Sequence, residues 1–160
     1  MSLTHIRPAV TADFAVMDQL CTAAVRRECA QVYDAEQIEA WVGAPNPGRF
    51  EAGVAQGVRY YVTERRGRIV AYGGIDLGRG EIKALFVDPA FGDDGLGEEM
   101  LGFMLREAKA GKVGAVQVDS LLNAASFYHR HGFRSVAPQV LDLEHGLQLE
   151  AVLMRREVGA

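Results

Sequence analysis

The sequence predicts a single α/β domain over residues 1–160, in which a central mixed, twisted sheet of about seven strands carries about four helices on both faces. Two observations support this fold class. The hydrophobic period switches repeatedly between that of a strand and that of a helix, and an antiparallel meander of three strands precedes a β-α-β unit. A length of 160 residues with 49% apolar residues suits one domain with one core.

The predicted elements follow from local spacing and from the residues that start or stop them. Thr11 can cap the first helix, because its hydroxyl can accept a hydrogen bond from a free amide of the first turn. A second helix starts near Asp34 and ends at the glycine- and proline-rich segment 43–48. In chain order, the predicted strands are 3–8, 58–64, 69–77, 81–87, 115–118, 133–136 and 148–155, and the predicted helices are 11–25, 34–42, 95–110 and 123–131.

Charge and composition exclude several classes of partner. The net charge is −4 and the pI is about 5.6. A nucleic-acid partner is not expected, because phosphate contacts require clustered Lys and Arg. The chain has neither the roughly 18 consecutive apolar residues of a membrane-spanning helix nor the pattern of a signal peptide. The sequence therefore predicts a cytoplasmic protein that binds neither nucleic acid nor membrane.

The cysteines and histidines form no disulfide or metal pattern. Cys21 and Cys29 lie on one predicted helix, so their thiols would be about 12 Å apart at 1.5 Å rise per residue, too far to bridge. We expect reduced, semi-buried thiols. His129 and His131 are two residues apart on a predicted helix and therefore face different directions. Because no carboxylate or cysteine lies at a useful spacing from them, no bound metal is expected.

A glycine turn joins the predicted strand 81–87 to the helix that begins near Gly95. Glycine allows a ligand to approach the backbone, and the free amides of the first helical turn favour an anion. The helix dipole adds partial positive charge, so the turn can bind phosphate. Taken alone, Gly95-x-Gly97 is more often an ordinary tight turn. It is neither a dinucleotide fingerprint nor a P-loop, because the further residues of those motifs are missing.

Three motifs together resemble the GNAT acetyltransferase family. Val87, Pro89, Gly95 and Gly97 match the spacing of the family's turn, Val-x-Pro-x-x-(Gln/Arg)-x-x-Gly-x-(Gly/Ala). Segment 123–133 is similar to the family's Ala-x-x-Phe-Tyr-x-x-x-Gly-Phe helix. Segment 33–41 is similar to the second-helix signature of one large bacterial branch, and the order of elements agrees from about residue 3 to residue 156.

The resemblance implies the GNAT fold and an acyltransferase that moves an acetyl group from acetyl-CoA directly to a primary amine in a ternary complex. The acceptor would be a small-molecule amine or a protein N-terminus, and family analogy implies a homodimer. The strand end before the turn would bind the thioester and the pantetheine through its amides. The implied cofactor-binding residues are Leu85, Phe86, Val87, Gly92, Asp93, Asp94, Gly95, Leu96, Gly97, Glu98 and Asn123.

Roles for individual side chains also come from the resemblance. Tyr128 would protonate the leaving thiolate, the alternative being a core aromatic residue. Asn123 would bind pantetheine, or else cap the short helix that follows it. Glu81 matches a catalytic glutamate of one branch of the family, with a surface glutamate beside a turn as the alternative. The further acceptor-site candidates are Glu28, Tyr33, Asp76 and Trp41, the last of which also fits the core.

The turn departs from the family's pattern at three positions. Gly92 replaces the usual Gln or Arg, and Asp93 and Asp94 follow where Arg, Lys or Gly is common. Two unit charges 6 Å apart repel by roughly 3 kcal/mol at an effective dielectric constant of about 20, so these acids would weaken pyrophosphate binding. They could instead face solvent or cap the next helix. The alternative function is a GNAT-fold binding module without catalysis.

Overall fold

The computed structural model describes residues 3–92, 94–143 and 146–159. Within these ranges the chain forms a seven-stranded sheet in the order β1-β2-β3-β4-β5-β7-β6. Neighbouring strands are antiparallel except for the parallel pair β4 and β5, which confirms the predicted mixed sheet. The strands are β1 (Thr4–Pro8), β2 (Arg59–Arg65), β3 (Arg68–Asp76), β4 (Glu81–Val87), β5 (Ala115–Leu121), β6 (Arg134–Asp142) and β7 (Gln148–Glu157).

Five α-helices are formed by the described residues, one more than predicted. They are α1 (Phe14–Glu28), α2 (Ala35–Val42), α3 (Gly48–Ala55), α4 (Leu96–Ala110) and α5 (Ala125–Arg130). The additional helix is α3, which begins after Pro47, where proline's fixed φ suits a helix start. Phe50 is the single buried residue of α3, so no repeated apolar stripe marks this helix in the sequence.

Strand β6 is also longer than the predicted strand 133–136. It pairs with β7 along its whole length, from Arg134 opposite Arg155 to Asp142 opposite Gln148. The strand lies at the edge of the sheet and none of its residues is buried. Its length is therefore determined by pairing with β7 rather than by an apolar pattern of its own.

The two main core clusters lie on opposite faces of the sheet. One cluster combines residues of α1–α3 with strand residues such as Tyr72. The other combines residues of α4 and α5 with strand residues such as Ile75. Gly73 lets α4 pack closely, because a Cβ there would lie 2.8 Å from Met100 Cγ and 2.9 Å from Met104 Sδ. We call the two faces the α1–α3 side and the α4–α5 side.

Strands β4 and β5 separate soon after they meet. These two strands, both described in full, pair only at Glu81 with Gln117 and at Ile82 with Val118. A bulge in β4 follows at once, since Gly74 lies opposite Ala84 and Ile75 lies opposite Ile82, which leaves Lys83 as the extra residue. A gap therefore opens through the middle of the sheet, between the second halves of β4 and β5.

Candidate active site

A cavity of about 240 Å³ occupies the gap between β4 and β5. Its wall contains residues of both core clusters, so side chains from both faces of the sheet contribute to it. On the α4–α5 side its apolar lining comprises Ile82, Leu85, Val118, Ala124 and Tyr128. On the α1–α3 side it comprises Cys21, Trp41, Phe50, Tyr60, Tyr72, Ala84, Phe86, Leu121 and Leu141.

The backbone of β4 presents polar groups to this gap. The Asp88 N–H donates to the Val70 carbonyl at 2.8 Å, so the residue pair that follows Val87 and Ala71 along the β3–β4 ladder is hydrogen-bonded. Hydrogen-bonded and non-hydrogen-bonded pairs alternate along such a ladder, so Phe86 turns its backbone towards β3. Leu85 and Val87 turn theirs towards β5, which no longer pairs with them. Their amides can therefore bind an extended ligand inserted between the two strands.

Tyr128 places its phenol in the wall of the same cavity. Its ring packs edge-on against Phe127 and Phe133, with centroid distances of 5.3 Å and 5.2 Å. Burial raises the pKa of Tyr128 well above its usual value, which keeps the hydroxyl protonated at physiological pH. Among the described residues the hydroxyl has no hydrogen-bond partner, so its proton is available to a ligand in the cavity.

Asn123 lies outside the cavity lining and does not cap α5. The residue that precedes this helix is Ala124, so the N-cap alternative for Asn123 is wrong. Its Oδ1 atom instead accepts a hydrogen bond from the Cys29 thiol at 3.6 Å. Burial raises the pKa of Cys29 to about 11. Cys21 and Cys29 are both free, as expected, but fully rather than partly buried.

The glycine turn builds a helix start whose first amides have no hydrogen-bond partner among the described residues. Gly95 adopts φ +72°, a left-handed conformation that favours glycine, and directly precedes α4. The first intrahelical bond runs from the Glu99 N–H to the Gly95 carbonyl at 3.1 Å. The amides of Leu96, Gly97 and Glu98 precede that bond, and they point out of the helix start, where the dipole favours an anion.

Asp94 does not cap α4 in the way the sequence suggested. Gly95 occupies the cap position, so the capping alternative for Asp94 is wrong. The Asp94 carboxylate instead accepts a hydrogen bond from Arg65 Nη1 at 2.5 Å. The Arg65 and Arg68 guanidinium groups lie over the Phe91 ring, 5.8 Å and 5.1 Å from its centroid. A neighbouring cation therefore offsets the charge of Asp94, while Asp93 lies outside the described residues.

Glu81 and Tyr128 are not brought together. Glu81 lies where β4 and β5 still pair, with its carboxylate 3.3 Å from Lys83 Nζ. It lines a neighbouring cavity of about 270 Å³ with residues such as Gln117 and Gln139. Asp119 of β5, which the sequence did not single out, lines both this cavity and the Tyr128 cavity.

Of the other four acceptor-site candidates, one lines the Tyr128 cavity and three do not. Trp41 lines the cavity. The Tyr33 hydroxyl donates to the Glu150 carbonyl at 2.7 Å and accepts from the Leu122 N–H at 3.0 Å, which ties the segment before α2 to the sheet. Asp76 accepts from the Arg79 N–H at 3.1 Å and closes a turn, and Glu28 is exposed at the end of α1.

Sequence reasoning missed most of the α1–α3 side. Arg49 and Phe50 belong to the unpredicted helix α3, while Tyr60 and Tyr72 come from β2 and β3. Alternation along β2 and β3 predicts that one face of each strand is buried. It does not reveal that the buried face borders a cavity. The spacing of Phe50 and Val54 after Pro47 is the only local signal for α3, and Val54 is exposed.

The described residues contain no group of three or more His, Cys, Asp or Glu side chains arranged to hold a metal ion. His129 Nε2 lies 3.1 Å from Ser135 Oγ, whereas His131 Nε2 lies 3.8 Å from Glu98 Oε1. Across the same residues, none of the helices has the length and apolar character needed to cross a membrane.

The sheet is therefore split between β4 and β5, with a helix start beside the split and the Tyr128 phenol in its wall. Residues 29–149 match the family model described as the acetyltransferase (GNAT) domain. The chain therefore belongs to the GNAT acetyltransferase family, as the motifs predicted. A search of curated protein sequences finds no significant match.

Solved structures show the same fold. A GCN5-related N-acetyltransferase from Rhodopseudomonas palustris has a TM-score of 0.89 at 24% identity, with 98% of this chain and 97% of that chain covered. The PaiA N-acetyltransferase of Thermoplasma acidophilum, solved with coenzyme A, gives 0.77 at 15% identity over 98% and 99%. The putative acetyltransferase yncA of Salmonella typhimurium, solved with acetyl-CoA, gives 0.67 at 23% identity over 98% and 95%.

Proposed function

We propose that this protein transfers an acetyl group from acetyl-CoA to a primary amine by direct attack in a ternary complex. The observation that carries the proposal is the shared cavity, in which the Tyr128 phenol lies opposite the unpaired edge of β4. Two structural neighbours, solved with coenzyme A and with acetyl-CoA, give further support.

In this proposal the donor lies along β4. The pantetheine arm takes the place of a strand between β4 and β5, and the backbone groups of Leu85 and Val87 bind it. The pyrophosphate lies at the start of α4, on the amides of Leu96, Gly97 and Glu98. Asn123, which lies in the turn between β5 and α5 and outside the cavity lining, is our candidate for a contact with pantetheine.

The reaction places charge where this site can stabilise it. The amine nitrogen attacks the thioester carbonyl carbon, and the carbonyl oxygen becomes an oxyanion that the Leu85 N–H stabilises. The carbon–sulfur bond then breaks, and the sulfur takes the proton of the Tyr128 hydroxyl. The nitrogen loses its own proton to a base, and a proton from solvent restores the Tyr128 hydroxyl. The acetylated amine and free CoA remain.

Two carboxylates are candidates for the amine's proton. Asp119 belongs to the wall of the cavity, so it can receive the proton directly or through one water molecule. Glu81 lies outside that wall, so we propose that it could take part only through a chain of water molecules. Exchange of each residue for its amide, followed by the pH dependence of kcat/KM, distinguishes the two routes.

The proposed function is tested by measuring CoA release from acetyl-CoA in the presence of a panel of primary amines. Reactions without acceptor and without enzyme are the controls. We expect acceptor-dependent release for at least one amine, with one acetyl group transferred per CoA. If no amine supports release and calorimetry detects no heat at millimolar acetyl-CoA, the proposal fails and the alternative, a binding module without catalysis, takes its place.

The domain count, the cellular location and the oligomeric state remain predictions from the sequence. We propose that residues 1–160 form one domain, that the protein is cytoplasmic and that it assembles as a homodimer. Sedimentation equilibrium measures the last of these directly, and limited proteolysis tests the first.

A further inference from the structure

The α1–α3 side of the cavity is a continuous aromatic wall. The Phe50 ring contacts Tyr60 and Tyr72 edge-on, with centroid distances of 5.2 Å and 5.4 Å. Tyr72 contacts Phe86 at 5.6 Å, and Phe86 contacts Trp41 at 6.4 Å. A wall of this kind binds the apolar body of a small molecule, because both partners lose apolar surface to water.

Arg49 places a cation in this wall. Its guanidinium is an electrostatic neighbour of both the Tyr60 and the Tyr72 hydroxyl groups, and its side chain is 24% exposed. The Nε atom donates to the Asn46 carbonyl at 3.1 Å, and Nη2 lies 3.3 Å from Asp18 Oδ1. Within the described part of the chain, Nη1 has no partner and can donate to a ligand.

The contact between Arg49 and Asp18 leaves hydrogen-bonding capacity unused. Asp18 is buried, and its Oδ2 accepts the Asn46 N–H at 3.0 Å. Its Oδ1 has no hydrogen bond of good geometry among the described residues, although Nη2 is nearby. Asp18 therefore offsets the charge of the guanidinium and helps to fix its position. Nε is occupied by the Asn46 carbonyl, whereas Nη1 and Nη2 remain available to a carboxylate.

We infer that the acceptor is a free amino acid with an apolar or aromatic side chain, whose carboxylate binds Arg49. The inference rests on the proposed function and names the substrate class of the same site. The amine points to the thioester at Leu85, the carboxylate pairs with the Arg49 guanidinium, and the side chain packs on the aromatic wall. An acceptor with a second cation is disfavoured, because Arg49 and Lys83 both line the cavity.

Matched pairs of acceptors test this inference. L-Phenylalanine and phenethylamine differ by one carboxylate, as do L-tryptophan and tryptamine. For the wild-type enzyme we expect kcat/KM to be about 10- to 100-fold higher for the amino acid than for its decarboxylated partner, the ratio that corresponds to one charged hydrogen-bonded pair. Equal or better turnover of the decarboxylated amines overturns the inference and leaves the proposed function standing.

Substitutions test whether the Arg49 guanidinium causes the preference for amino acids over their decarboxylated partners. Arg49→Gln alone would leave Asp18 buried without its cation, so the test uses the double variant Arg49→Gln with Asp18→Asn. In this variant we expect the ratio of kcat/KM for L-phenylalanine to that for phenethylamine to fall to about one. Arg49→Lys should restore part of the preference. A variant that loses both activities equally would indicate that Arg49 serves only to hold α3 in place.

Binding gives a readout that does not require turnover. With CoA bound, L-phenylalanine should raise the melting temperature of the wild-type protein, whereas phenethylamine should raise it less. The double variant should show no difference between the two compounds. If acetyl transfer is absent but this difference is present, the proposed function fails and the amino-acid site stands. If L-phenylalanine does not bind to the wild-type complex, the inference fails.

Discussion

The two sides of the cavity are built from different materials. The α4–α5 side relies on backbone groups and one hydroxyl: the unpaired edge of β4, the helix start after Gly95 and the phenol of Tyr128. These parts come from two short segments, 81–98 and 123–133. The α1–α3 side relies on side chains from α1, α2, α3 and strands β2 to β6, brought together from distant parts of the chain.

This difference explains why one side could be predicted and the other could not. A site made of backbone amides requires certain residues at fixed spacing, such as a glycine where φ is positive. That requirement is visible in the sequence as a motif. A site made of scattered side chains requires only that the elements pack correctly, which leaves no local spacing to detect.

Tyr128→Phe tests the chemistry of the α4–α5 side and should have the largest effect. We expect kcat to fall by about 10²- to 10⁴-fold, the usual contribution of a positioned acid, with the KM for acetyl-CoA almost unchanged. Steady-state kinetics measure both. Tyr61→Phe is the matched control, because Tyr61 is also buried but bonds Glu107 outside the cavity, so its turnover should match wild type.

The pH profile gives a second view of the same residue. The acid works only while protonated, and burial raises the pKa of Tyr128 above its usual value of about 10. In the wild type, kcat should therefore rise with pH as the amine loses its proton. No decrease in kcat is expected at any pH up to about 10. A descending limb near pH 8 would contradict the assignment of Tyr128 as the acid.

Gly95→Ala tests the backbone geometry of the same side. An alanine at φ +72° costs about 1–2 kcal/mol, and it would shift the amides at the start of α4. We expect the KM for acetyl-CoA to rise about tenfold. Gly146→Ala is the control, since Gly146 has φ +75° and equally open surroundings but lies outside the turn. If both variants lose stability equally and neither changes KM, the phosphate site lies elsewhere.

Asp13→Asn should destabilise the fold on the α1–α3 side without changing the proposed acetyl-CoA site. Asp13 precedes α1 and accepts two hydrogen bonds from Arg7, at 2.8 Å and 2.9 Å. Loss of these charged bonds should lower the free energy of unfolding by about 1–3 kcal/mol at pH 7. Urea unfolding measures this change, and the KM for acetyl-CoA should not change.

The same variant has a pH signature. Arg7 lowers the pKa of Asp13 in the folded state, so the stabilisation is complete above about pH 4 and is lost as the pH falls through that lowered pKa. The difference between wild type and Asp13→Asn should therefore narrow below about pH 4. A difference that stays constant down to pH 3 would show that the charge of Asp13 is not the source of the stabilisation.

Arg65→Gln should have the smallest effect. It removes the cation beside Asp94, an exposed pair worth no more than about 1 kcal/mol, so the KM for acetyl-CoA should rise about two- to fivefold. The increase should be larger at low salt, because screening is weaker there. Adding Asp94→Asn should reverse it. A double variant as weak as the single one would mean that Arg65 binds the donor itself.

Local signals in the sequence were sufficient for much of the α4–α5 side. The period of the apolar residues determined the order of the strands and most helices, and the turn from Val87 to Gly97 determined the family. Each of these features depends on residues that are close in the chain, where hydrogen-bonding pattern and backbone conformation are set by immediate neighbours.

Only the tertiary structure decided the rest. Glu81 lies outside the cavity, where β4 and β5 still pair, whereas Asp119, one residue beyond the last pair, lies in its wall. Asp94 pairs with Arg65, 29 residues away, instead of capping its own helix. Arg49 reaches the cavity from a helix with a single buried residue. In each case the outcome depends on packing between distant segments, and the spacing of residues along one segment contains no record of that packing.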